Sequence, residues 1–360
     1  MINLTLNDAT QLTILPHLER TEELLNKAIK SLGGKSDVEV IAMPDLGLSN
    51  NATRMRGGFF TGMYLNWHSD IPFVPVDTTI NSCGVYIFTL KRLLEKEEFS
   101  KLLGQAKDNI GSLNYSWNFD RGNHFITMGA FANGTPCVIM HASANEYKKD
   151  DPDKALYPAE NNWYYNQIKC FSDEKSDGRF LRYIVGDTAE KFIETATSLS
   201  EINKRRFQEI AYFIFGDLVN QEYLYVPHYG MPTRTSVAIG CSWMDGKYAL
   251  LTAPRKNIFI VSPTKKGSNK TINGYMLNPH GLGVEWDNPT ITYADKSIFL
   301  NSEKVSDENV FLYLKGKKIR MMDASDVDIF DYASKIFKTC PGDIIETITP
   351  IASLSNYGII

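Results

Sequence analysis

Six histidines occur in 360 residues, and four of them share a context at the ends of apolar, strand-like runs. His124 precedes one such run in Gly122-Asn123-His124-Phe125, and His141 closes another in Val138-Ile139-Met140-His141. His228 follows Leu224-Tyr225-Val226, and His280 lies in Asn278-Pro279-His280-Gly281-Leu282-Gly283. A strand end suits a reactive or metal-binding imidazole, because the sheet fixes the ring while the adjoining turn leaves it open to a ligand. Cys83, flanked by Ser82 and Gly84, offers a thiol to the same chemistry. A single such histidine is more often a hydrogen-bonded edge residue. Four of them with a cysteine, in a histidine-poor chain, point together to a Cys/His metal site. Spacing adds nothing, since the residues are dispersed and neither CxxC nor HExxH is present. His17 and His68 have no partner motif and read as structural.

The phosphate loop GxxxxGK[ST], a GxGxxG between strand and helix, and the GxSxG elbow are all absent. Gly267-Ser268, in a run of lysines, reads as a solvated basic turn rather than a phosphate cradle.

The elements that must position these residues follow from periodicity. Leu24, Leu25, Ala28, Ile29 and Leu32 share one helical face over 20–32, and Gly33-Gly34 stops the helix. Val38 to Met43 reads as a strand ending in a turn at Pro44-Asp45, and Val85 to Leu90 as another, followed by an amphipathic helix over about 93–103. Phe125–Met128 and Cys137–Met140 flank Asn133-Gly134, a strong hairpin signal. Residues 148–154 read as an exposed loop, and 187–219 as helix with Phe207, Ile210, Ala211, Ile214 and Phe215 in its buried stripe. Short strands follow at Val237–Cys241, Tyr248–Thr252 and Ile258–Val261, and a helix over about 327–337 closes the chain. No repeat, low-complexity tract or long linker divides it. The expectation is one α+β domain over 1–360, with mixed sheets flanked by helices and a metal-binding cleft at strand ends.

The composition, 43% hydrophobic with 12% aromatic residues, can fill a large core. A formal net charge of -4 excludes a globally basic coat, so any nucleic acid must be held by a local patch. The first ten residues lack the basic and apolar regions of a signal peptide, and no window reaches the roughly 18 apolar residues of a membrane span. Five cysteines without paired spacing then read as free thiols. A cytoplasmic protein with no membrane partner is expected.

Taken in order, several segments resemble the RtcB family of RNA ligases. Ala42-Met43-Pro44-Asp45 resembles its M-P-D-x-H segment, and Val76-Asp77 with Cys83-Gly84 its V-D-I-G-C-G-M motif. Gly122-Asn123-His124-Phe125-Ile126 matches G-N-H-F-I, and Ile139-Met140-His141-Ala142-Ser143 is similar to M-x-H-S-G-S-R. Pro227-His228-Tyr229 is similar to the H-N-Y region, and Asn278-Pro279-His280-Gly281-Leu282-Gly283 to S-H-G-A-G-R. Asp326-Val327-Asp328-Ile329 and Thr349-Pro350-Ile351-Ala352 are similar to the closing helix and strand. The resemblance runs over about 38–356.

The resemblance implies two manganese ions, with zinc the alternative metal, held by Cys83, His124, His141 and His228, with Asp77 as a fifth ligand. It implies GTP as cofactor and His280 as the nucleophile that takes up GMP. Asn123, Asn278, Gly281 and Gly283 would contact the nucleotide. The partners implied are RNA ends, of tRNA or other cleaved RNA: a 3′-phosphate or 2′,3′-cyclic phosphate, and a 5′-hydroxyl. The chain departs from the family at several positions. Ile80 occupies the place three residues before Cys83 where the family has aspartate, and Leu46-Gly47 replaces the early histidine. The segment after His141 has no arginine, Val284 replaces the arginine of S-H-G-A-G-R, and Ser355 aligns with the closing lysine. Losses fall mostly on nucleotide-binding positions and retention on metal-binding ones. The alternatives are therefore a phosphoesterase or other nucleotidyltransferase that keeps the metal, and a non-catalytic RNA- or protein-binding subunit.

Overall fold

The strand Glu39–Gly47 is apolar in nearly every position because both of its faces are covered. Val40 and Ala42 pack with Ile14, Leu18 and Leu25 of a helix, whereas Ile41 and Met43 pack with Val85, Ile87, Ile139 and Ile260 of a second sheet. The computed structural model describes all residues except 149–150, 176, 245, 253–255, 265–270, 273–274, 282–288, 316–327, 357 and 360. Two large sheets share this core. One is five-stranded and mixed, ordered Ile2–Asn3, Glu39–Gly47, Thr61–Asn66, Ser236–Ile239, Tyr229–Thr233. The other is antiparallel and eight-stranded. Its main path runs Val219–Pro227, Gly84–Leu90, Pro136–Ala142, Phe125–Phe131, Gly342–Ser355, Ile258–Pro263, Tyr248–Leu250, and Gly358–Ile359 pairs with Gly342–Ser355.

The far face of the eight-stranded sheet, with Tyr86, Phe88 and Met140, is covered by the helix Lys96–Asn109 and by Phe207, Ile210, Ala211 and Ile214. Those four belong to the 30-residue helix Gly186–Phe215, whose first half joins the other core through Phe192, Ile193 and Leu199. The expected α+β architecture is present, as is the hairpin at Asn133-Gly134, where Gly134 has φ 85°. No helix among the described residues is long and apolar enough to cross a membrane, and all five cysteines are free thiols.

Two expectations from the sequence need correction. The first helix spans Ala9–Ser31, beginning well before residue 20, because Asp8 and Gln11 form a capping box and Pro16 is accommodated inside it. His17 therefore lies within the helix, edge-on to Tyr293, and burial followed by the Arg179 charge lowers its pKa to about 4. Pro44-Asp45 is not a turn that ends a strand. Ala42 pairs with Met63 and Gly47 with Thr61, so residues 43–46 bulge out opposite the single residue Gly62. Pro44 falls inside the bulge, where its missing N–H costs no ladder bond. The bulge needs glycine across from it: Gly62 has φ 80°, and a Cβ there would stand 2.7 Å from the Asp45 carbonyl oxygen. The helix expected over 93–103 spans Lys96–Asn109, and the closing one spans Ile329–Thr339. Gly267-Ser268 lies outside the described residues.

Candidate metal centre and nucleophile

Register explains how scattered residues meet. In the eight-stranded sheet Gly84 pairs with Ala142 on one side and Pro227 on the other, while His141 pairs with Val85 and with Phe125. Cys83, His124, His141 and His228 therefore occupy the same end of four adjacent strands. Cys83 arrives from a loop in which Thr79 (φ 47°) and Ser82 (φ 53°) are left-handed, a conformation costly for non-glycine residues. Asn203 of the long helix secures this loop by donating to the Ser82 carbonyl (2.6 Å). His228 N–H donates to the Cys83 carbonyl (3.1 Å).

Cys83 Sγ lies 3.1 Å from His141 Nε2, which lies 3.3 Å from His228 Nε2. Ligands bound at 2.0–2.3 Å to one ion in a tetrahedral shell stand roughly 3.3–3.7 Å apart, so the His141–His228 spacing fits a coordination edge and the Cys83–His141 contact is a little shorter than one. Side-chain orientation fits as well. His141 Nδ1 is held by the Asn123 carbonyl (2.9 Å) and His124 Nδ1 by the Asn118 carbonyl (2.9 Å). Each carbonyl requires a proton on Nδ1, which leaves the Nε2 lone pair for a metal. Burial lowers the His141 pKa to about 3 and takes His124 and His228 well below the ordinary value, with neighbouring cationic and imidazole groups adding to the fall in those two. Neutral imidazole is the ligand form. Burial also pushes the Cys83 thiol up to about 12, opposed by Lys148, the Gly84 backbone and Arg54. A bound cation is what would favour its thiolate. Cys83, His141 and His228 thus form a buried group able to hold a metal ion.

His124 stands next to this group, its ring 5.6 Å from that of His141 and its Nε2 3.4 Å from Ser143 Oγ. On the other side His280 lies with its ring 5.2 Å from that of His228. Asp45 fixes it: one carboxylate oxygen accepts from His280 Nδ1 (2.5 Å), His280 N–H (3.0 Å) and Gly281 N–H (3.1 Å). The strand bulge is what turns this buried carboxylate toward the histidine. With Nδ1 occupied, Nε2 is the ring nitrogen left to react. Gly240 (φ 68°) lies against the ring, where a Cβ would stand 2.9 Å from His280 Cε1. Gly240→Ala should therefore displace the imidazole and reduce any chemistry at His280 by tenfold or more, while metal content is retained. Metal analysis paired with a labelling assay checks this.

Other residues singled out in the sequence are engaged elsewhere. Asp77 is not drawn into the Cys83 group: both of its oxygens accept from Arg182 Nε (3.0 and 3.1 Å), and Arg56 lies 3.8 Å away. Asn278 is buried and donates to the Met276 carbonyl (3.3 Å). The Gly281 N–H is committed to Asp45 rather than left for a phosphate, and a Cβ there would meet the Leu251 carbonyl at 2.5 Å. Asn123 does line the cleft, together with Cys83, His124, His228 and His280, in a cavity of about 290 Å³. Gly283 and Val284 lie outside the described residues. Asp45 and Arg54 were missed as site residues. The M-P-D segment was a signal for the first, and no motif marks the second.

Fold and site together define an α+β protein with a buried Cys–His–His group able to hold a metal ion, beside an aspartate-oriented histidine. No protein-family model matches the chain, and no curated protein matches it.

Proposed function

We propose that this chain is a GTP- and manganese-dependent RNA ligase of the RtcB kind, with His280 as the nucleotide-accepting nucleophile. The observation that carries this reading is the Asp45–His280 pair placed one imidazole away from the Cys83–His141–His228 group. A hydrolase can use metal-bound water alone. A buried carboxylate that presets a second, non-cluster histidine has its clearest use in covalent transfer.

In this reading His280 Nε2 attacks the α-phosphorus of GTP. The N–P bond forms, the bond to the β-phosphate oxygen breaks and pyrophosphate leaves. Asp45 keeps the Nδ1 proton in place throughout, supporting the positive charge that grows on the ring. The RNA 3′-phosphate oxygen next attacks the same phosphorus and releases His280. The 5′-hydroxyl then attacks the activated 3′-phosphate, forming the phosphodiester and expelling GMP, whose phosphate takes up the hydroxyl proton. A divalent cation at Cys83, His141 and His228 would supply charge neutralisation to the transferring phosphoryl group. A second reading, phosphoester hydrolysis at the same metal, draws on Val284 and Ser355 standing where the family carries basic residues.

Incubation with α-labelled GTP and manganese should leave acid-labile label on the chain. Asp45→Asn keeps the shape of the side chain but removes the charge that supports the imidazolium. It should cut labelling about 100-fold or more with metal content unchanged. Phosphodiesterase turnover without label would favour the hydrolase, and absence of metal after purification with manganese would favour a non-catalytic subunit.

A further inference from the structure

Arg54 is only 8% exposed, yet its contacts are all to uncharged groups. Its Nε donates to Thr79 Oγ1 (3.1 Å) and Nη1 to Ser49 Oγ (3.0 Å), and its guanidinium carbon lies 4.4 Å over the Tyr229 ring. Among the described residues no carboxylate lies within ion-pair distance of it. Two other deeply set arginines carry a counter-ion, Arg206 with Glu146 and Arg182 with Asp77, whereas Arg179 is held like Arg54 by neutral groups and a tyrosine ring but does not line the cleft. A desolvated cation without a counter-ion is expensive, and a tie between the short helix Ala52–Arg56 and its neighbours would need only neutral donors.

The position supplies the reason. Arg54 lines the same cleft as Cys83, His124, His228 and His280, and stacks on Tyr229, the residue after a cluster histidine. Arg121 and Lys148 also line that cleft, and among the described residues that line it none is Asp or Glu. In a chain of net charge -4, this is a local cationic pocket with a rigid guanidinium in its wall. Ser49, Thr79 and Tyr229 hold that planar group in one orientation, as a forked contact to a tetrahedral oxyanion requires.

We infer that Arg54, with Lys148 and Arg121, forms a phosphate-binding subsite in the wall of this cleft, next to the metal group. It takes a phosphate with free terminal oxygens. The identity of the phosphate's carrier, a nucleotide's polyphosphate tail or a chain end, rests on the proposed ligase reading; the anion site itself does not.

The test uses the full chain stripped of metal with EDTA and titrated with inorganic phosphate in a calorimeter, so that it is independent of nucleotide transfer. Wild type should bind at one site. Arg54→Gln should weaken binding tenfold or more, Arg54→Lys should recover part of it, and Lys148→Gln should weaken it several-fold. Should Arg54→Gln not fold, phosphate protection of Arg54 against phenylglyoxal, mapped by mass spectrometry in wild type, replaces it. Absence of phosphate binding by wild type, undiminished binding by folded Arg54→Gln, or no protection of Arg54 would overturn the inference. Stronger competition by pyrophosphate than by a 3′-phosphorylated oligonucleotide assigns the subsite to the nucleotide tail, and the reverse order assigns it to the chain end.

Discussion

Replacing His280 with alanine is expected to abolish transfer of label from α-labelled GTP to the chain, by about 1000-fold or more, while leaving metal content unchanged. The size follows from chemistry: a nucleophile that forms the covalent intermediate has no substitute, so its loss removes the step rather than slowing it. Selectivity follows from geometry. His280 lies 5.2 Å, ring to ring, from His228, but it is outside the Cys83–His141–His228 group, and its Nδ1 is spent on Asp45. Removing its ring should therefore spare the metal donors. The residue is only 9% exposed, so alanine leaves a void open to the cleft, and a modest loss of stability should accompany the loss of labelling. Mass spectrometry of the intact chain, run alongside elemental analysis, separates the outcomes. Persistent label on His280→Ala would refute the nucleophile assignment.

Cys83→Ala should remove bound manganese or zinc and, with it, metal-dependent stabilisation. An ion that binds only the native state at a hundredfold excess over its Kd contributes about 2.7 kcal/mol. For a chain of 360 residues, typical unfolding entropy translates that into a melting shift of about 3–4 °C. Wild type should therefore melt higher with manganese than with EDTA, and zinc should shift it further because thiolate and imidazole prefer it. Cys83→Ala should give superimposable melts in all three conditions. Its metal-free melt should lie close to that of metal-free wild type, since the thiol is small and its pKa is already pushed up to about 12. Melts of wild type that coincide with and without metal would sink the metal centre.

Much of the fold could be read directly from residue order, because each feature concerned is local. The Asn133-Gly134 hairpin follows from turn chemistry, and the buried stripe Phe207–Phe215 follows from a 3.6-residue period. The helix start at Ala9 was not apparent, since Pro16 within the pattern reads as a boundary while the capping box at Asp8 outweighs it.

For the site, the sequence determined which residues have the right chemistry: a thiol and four imidazoles, each beside a strand end. Tertiary structure alone decided which of them meet. The Cys83–His141–His228 group depends on the pairing of Gly84 with both Ala142 and Pro227, contacts whose partners are 58 and more than 140 residues apart in the chain. Asp77 and Asp45 show the same limit from both sides. Each is an acidic residue near a promising motif, but Arg182 takes the first into an ion pair, while a four-residue bulge opposite Gly62 aims the second at His280. Residue type limits what a side chain can donate or accept. Its partner is set by long-range packing, where a single bulge or a buried arginine changes which groups lie within hydrogen-bonding distance.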